Sequence, residues 1–176
     1  TDFIETLDVD AREFVRAYYL PLWVWHRLEE NRWKASSIPL RTRKSGGTLD
    51  VDHIMSVGLT ADLGGVSEPP VDGNEVAPVL KINSLGNCWL LETNFNISKG
   101  KQTARAFLDK VVEFKDKPAN LERWRAQIGL SVDLLSPTKE RLKEAAAAID
   151  ERTASIRKDL KGFIDGSIKR VDMTQG

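Results

Sequence analysis

Three short segments carry side chains that can do chemistry together. The first is Val51-Asp52-His53-Ile54, the second Gly86-Asn87, and the third Asn94-Phe95-Asn96-Ile97-Ser98-Lys99-Gly100-Lys101. Asp52 supplies a hard oxygen ligand, suited to Mg²⁺ or Mn²⁺. His53 is the natural general base, because an unperturbed imidazole titrates at about 6.5, near working pH. Asn96, in the first turn of a helix, brings an amide beside backbone N–H groups that suit a phosphate. Singly, each feature is ordinary. Most Asp-His pairs are surface or capping residues, Gly-Asn makes turns everywhere, and Asn94 and Asn96 are of the type that caps helices. In this order, and on the elements described next, they point to one centre.

The flanking residues supply those elements. Thr48 to Ile54 reads as a strand, with Leu49, Val51 and Ile54 among polar residues. Its end offers Asp52 and His53 to opposite faces, because side chains alternate. Cys88 to Leu91 reads as a short apolar strand behind the Gly86-Asn87 turn. A helix is expected from Thr93 or Asn94 through Leu108 to about Phe114, stopped by Lys117-Pro118. Two strands followed by a helix can bring all three segments to one point.

Around this core the pattern is helical. Residues 10–33 carry Phe14, Val15, Tyr18, Leu22, Trp25 and Leu28 near a 3.6 period, with a kink or break expected at Pro21. Ser36 to Gly47 reads as a loop, and residues 58–80, rich in Gly, Pro and Asp, as a long surface excursion. Asn120 is the expected N-cap of a helix from Leu121 to Ile128. A longer helix follows Pro137. Its buried stripe is Leu142, Ala145, Ala146, Ile149, Ile156, Leu160 and Phe163; its charges are expected on a solvated face, and Gly166 ends it. Trp23, Trp25 and Trp33 are expected to pack between the N- and C-terminal helices rather than stack on bases, and His26 is read as structural.

Composition narrows the classes. The 26 Lys and Arg balance 26 Asp and Glu, so affinity for nucleic acid has to come from local patches such as Arg41, Arg43 and Lys44. The single cysteine, Cys88, excludes an internal disulfide framework and a Cys-x-x-Cys zinc finger, and fits a reducing cytoplasm. No stretch is apolar for long enough to span a membrane.

Asp-His-Ile, then Asn-Ser-Leu-Gly-Asn-Cys-Trp-Leu-Leu, then Asn-x-x-Lys-Gly-Lys resembles the ββα-metal core of HNH endonucleases. The likeness extends to the nuclease domains of GmrSD-type, modification-dependent restriction enzymes, including SspE-type phage-defence nickases. Asn96 stands nine positions after Asn87, as in that family. The likeness is specific over residues 48–110 and weaker over the C-terminal helices, where Arg152 and Arg157 on Ile149 to Leu160 are similar to the family's closing helix. The family often has Pro shortly after the His; here Met55-Ser56-Val57 follows.

The resemblance implies an α+β, mostly helical fold: a small ββα-metal core over 48–115, flanked by helices over 1–35 and 120–166, in a single domain. It implies hydrolysis of DNA phosphodiesters, as a nick or a double-strand cut. His53 would be the base, Asp52 and Asn96 would hold one Mg²⁺ or Mn²⁺, and Asn87 would hold the loop and orient His53. Asn94 remains the cap. Lys99 and Lys101 are placed to contact the DNA backbone, with Arg41, Arg43 and Lys44 extending the track. The chain would be the C-terminal effector of a longer cytoplasmic protein of bacterial phage defence, linked to an N-terminal nucleotide-hydrolysing sensor. The rival expectation is a noncatalytic DNA-binding or protein-interaction module on a degenerate core.

Overall fold

A computed structural model describes residues 17–25, 49–65, 80–111 and 115–167. His26, Trp33, Arg41, Arg43, Lys44, the Ser36 to Gly47 loop, the ends of the helix expected over 10–33 and residues 66–79 of the expected excursion lie outside them. The described chain is α+β and mostly helical, as expected. Among the described residues no helix is long and apolar enough to cross a membrane.

Residues 17–25 form helix α1, which continues through Pro21. Strand β1, Leu49–His53, pairs antiparallel with β2, Cys88–Glu92, in the register Asp50↔Leu91, Asp52↔Trp89 and His53↔Cys88. Cys88, Trp89, Leu90 and Leu91 are all buried, so β2 is covered on both faces, while on β1 only Val51 is buried. That is why β2 reads as an unbroken apolar run.

Between the strands, Val57–Asp62 forms helix α2, where the sequence reading expected a surface excursion from residue 58. Ser56 caps it, its hydroxyl accepting from Leu59 N at 3.2 Å. Helix α3, Thr93–Lys99, leaves β2 directly, so Asn94 stands inside its first turn and not at a cap. The single long helix expected after β2 is, among the described residues, broken after Lys99. Gly100, at φ 49°, turns the chain through a conformation that costs other residues more. Thr103 then caps α4, Ala104–Leu108.

Helix α5, Pro118–Gln127, starts earlier than expected from Asn120, with Pro118 at the position where a missing N–H costs nothing. The short helix α6, Val132–Leu135, capped by Ser131, was not foreseen. Helix α7, Leu142–Ile164, is the long C-terminal helix, and Gly166 follows its C-cap as expected.

The face of α7 departs from the expected stripe: Ala146 and Phe163 are only partly buried, Ala148 is buried, and two polar residues join it. Arg152 and Thr153 are buried between Ile149 and Ile156, where the helical period calls for apolar side chains. Arg152 Nε donates to Ile128 O at 2.9 Å, and its Nη1 donates to Gly86 O at 2.7 Å and Cys88 O at 2.8 Å. The guanidinium lies over the ring of Trp25, 5.1 Å from its centre. Trp25 Nε1 in turn donates to Asp159 on α7 at 3.2 Å, so Trp25 packs between the terminal helices as expected. Burial draws the Arg152 pKa down to about 10, which leaves it charged at neutral pH.

Thr153 completes the contact. Its hydroxyl donates to Ile149 O at 2.8 Å and accepts from Gly86 N at 2.9 Å. Its one proton being used, Ser84 Oγ is the donor across the 2.7 Å contact between the two hydroxyls. Gly86 is required by this closeness. A Cβ there would overlap the carbonyl oxygen of Ile149 and the hydroxyl of Thr153.

Arg152 therefore brackets the turn before β2, the end of α5 and α1. A lysine supplies one point charge where three carbonyls are spaced for a planar fork. Arg152→Lys should lose about 2–4 kcal/mol in urea unfolding, from buried carbonyls left without donors. A loss below about 1 kcal/mol would contradict the bracket.

Candidate active site

Period-2 alternation puts Asp50 and Asp52 on one face of β1. Helix α3 supplies that face with Asn96 and Lys99, one turn apart. Asn96 Nδ2 donates to Asp50 Oδ2 at 3.4 Å. Lys99 Nζ lies 3.0 Å from Asp52 Oδ2 and donates to His53 O at 2.6 Å. Asp52 Oδ2 also accepts from Trp89 Nε1, its cross-strand partner, at 2.9 Å. Trp89 is itself buried and meets Phe107 edge to face, with centroids 6.4 Å apart. The Asp52 carboxylate is thus held by a rigid ring on one strand and a cation from the helix.

His53 ends the strand on the other side of its backbone. Its Nε2 lies 3.0 Å from Asn83 Oδ1. An amide oxygen only accepts, so Nε2 carries the proton and the lone pair belongs to Nδ1. Burial lowers the His53 pKa below 6.5; the Asn83 hydrogen bond and the Asp52 charge oppose that shift, and Lys99 adds to it. The imidazole is therefore neutral at pH 7, the state a general base needs.

No protein-family model, curated protein or solved structure matches this chain.

Asn87 holds the end of β1. It is fully buried, accepts from Met55 N at 2.9 Å, and donates to Met55 O and Ile82 O, each at 2.9 Å. Its own carbonyl accepts from Ile54 N at 2.7 Å. Through its side chain and its carbonyl, this one residue fixes the two residues after His53 and the segment that carries Asn83. This is the loop-holding part expected of Asn87.

Lys99 departs from expectation. Its side chain is 1% exposed, so it is a buried partner of Asp52 and not a contact for a DNA backbone. The sequence places it two residues from Lys101, and only the turn of α3 separates their fates. Lys101 is exposed, and its aliphatic stem covers Gly58 at the start of α2.

Two residues join the site that the sequence reading did not single out. Asp50 was readable, since it stands two positions before Asp52 on the same strand face. Asn83 opens the Asn-Ser-Leu-Gly-Asn-Cys-Trp-Leu-Leu motif, just past the expected 58–80 excursion, but nothing in its type or spacing gave it a role. Among the described residues no group of three or more His, Cys, Asp or Glu is gathered as a metal site. The oxygen donors of this face are two carboxylates and an amide, a hard set whose chemistry fits a Mg²⁺-class ion.

Replacing Asn87 by Ala leaves two carbonyls and one N–H without their buried partner. The cost should be about 2–4 kcal/mol, read by urea unfolding. Amide exchange at Met55 should accelerate beyond that global loss. Unchanged exchange at Met55 would show that Asn87 does not hold the loop.

Proposed function

We propose that this chain is a metal-dependent DNA endonuclease of the HNH type, cutting phosphodiesters with His53 as general base. One observation carries the reading. Asn96 reaches the strand face that bears Asp50 and Asp52, and His53 ends the same strand with a neutral imidazole. The ordered likeness to the ββα-metal core, from Asp52-His53 through Asn87 to Asn96, supports it.

His53 takes a proton from a water aimed at the phosphorus, through the nitrogen opposite the one tied to Asn83. A base so positioned is worth roughly 10²–10⁴-fold. Asn83 and Asn87 restrict the imidazole and its loop, which reduces the ordering needed at reaction. Asp52 and Asn96, with Asp50 beside them, are the residues that would hold the divalent ion. When bound, that ion supplies charge that polarises the scissile phosphate and stabilises the leaving 3′ oxygen. Exposed Lys101 offers a cation to the flanking backbone; the basic cluster Arg41, Arg43 and Lys44, outside the described residues, is proposed from sequence alone as a further contact. The setting consistent with the resemblance is a cytoplasmic bacterial defence protein, with this chain as effector and a linked nucleotide-hydrolysing sensor as partner.

A supercoiled-plasmid assay with Mg²⁺, Mn²⁺ and chelator tests the proposal. Wild type should nick or linearise DNA with metal and not with chelator. His53→Ala and Asn96→Ala should each lose roughly 10²-fold or more while circular dichroism stays native. A lowered imidazole pKa extends the neutral form toward acid, so the midpoint of the acid-side fall in kcat/KM should lie below pH 6.5. Supercoiled plasmid persisting at high protein concentration with metal would favour a noncatalytic DNA-binding module.

A further inference from the structure

Among the described residues, Lys99 is the one buried ammonium of the carboxylate face, and its burial calls for a reason. Taking such a charge out of water costs several kcal/mol unless it is paired and hydrogen-bonded. Here it is both. Its Nζ bridges the Asp52 carboxylate at 3.0 Å and the backbone carbonyl of His53 at 2.6 Å. It therefore ties together the two residues assigned to metal and base. It also stands in the last turn of α3, one turn from Asn96, and Gly100 turns the chain immediately after it.

We propose that Lys99 is a built-in counter-cation of the metal face: it positions Asp52 in the metal-free protein and weakens the site's hold on a divalent ion until DNA arrives. The inference rests on the nuclease reading above. The physical argument is charge counting. Asp50 and Asp52 bring two negative charges to this face, and Lys99 offsets one of them. A divalent ion on Asp52 sits a few ångströms from the ammonium. Repulsion at that range, even in a water-like dielectric, weakens binding on the order of tenfold. A phosphodiester adds a negative charge at the same place and restores the attraction. Metal and DNA then bind with positive coupling, and the protein holds little divalent ion when it holds no DNA. Asp52 remains oriented throughout, because Trp89 and Lys99 grip it from two sides.

Direct Mn²⁺ binding without DNA, read from the electron paramagnetic resonance of the free ion, tests this. Lys99→Met removes the charge and keeps an apolar stem; Lys99→Gln removes the charge and keeps a donor for His53 O; Lys99→Arg keeps the charge. Both neutral variants should bind Mn²⁺ about tenfold more tightly than wild type, and Lys99→Arg should match wild type. Melting of the neutral variants should fall in chelator and recover with Mn²⁺. Should Lys99→Met fail to fold in chelator, Lys99→Gln carries the comparison. Equal or weaker Mn²⁺ binding by folded neutral variants, with wild type still binding, overturns the counter-cation alone. No Mn²⁺ binding by wild type or any variant overturns the metal centre, and this inference with it.

Discussion

A guanidinium inside the protein, Arg152, ties the turn before β2, the residue after α5 and helix α1 to one point on α7. Its three hydrogen bonds end on backbone carbonyls of Ile128, Gly86 and Cys88, and its flat face rests on Trp25. Charge-assisted hydrogen bonds contribute about 1.5–3 kcal/mol each against the cost of burying the charge; part of that cost remains in the lowered pKa and in Nη2, which has no hydrogen-bond partner among the described residues. The gain is geometric. The turn that opens β2 cannot shift along α7 without breaking them. Gly86, with no Cβ, lets the two backbones approach closely enough for the bracket and for the Thr153 hydrogen bonds to form.

Positions in the site follow from that constraint. With the Gly86 turn fixed on α7, Asn87 is fixed with it, and its amide locks Met55 and Ile82. The end of β1, the residues just after His53 and the segment bearing Asn83 then form one rigid unit. Helix α3 leaves β2 without a linker, so the same register that sets Trp89 opposite Asp52 also sets Asn96 near Asp50 and Lys99 on Asp52. Restraint is concentrated around a carboxylate, an amide and an imidazole, the groups that the proposed hydrolysis would use.

The strands, the helical flanks and the order Asp52-His53, Asn87, Asn96 were legible because they rest on period, turn chemistry and residue type. Other features were hidden for definite reasons. Lys99 ends a seven-residue helix beside the Asp52 strand, whereas Lys101 lies beyond the Gly100 turn, so the two read alike in sequence and part ways in the fold. Arg152 was assigned to a solvated face by its charge alone. Yet the gap between Ile149 and Ile156 falls where the buried stripe should continue, and that spacing pointed inward. The break at Gly100 was written in Gly100 and Thr103, a C-terminal signal followed by a cap, but the apolar pattern across it suggested one helix. Asn83 became visible only through its distance to His53.

The central claim is that side chains from β1 and α3 converge on one divalent cation. Paramagnetic broadening by substoichiometric Mn²⁺, in nuclear magnetic resonance spectra of the folded chain, tests it without reference to turnover. The account predicts early, selective loss of signals from Asp50, Asp52, His53 and Asn96, while those of α7 beyond Ile156 persist. Broadening centred elsewhere, or spread evenly along exposed carboxylates, would contradict it.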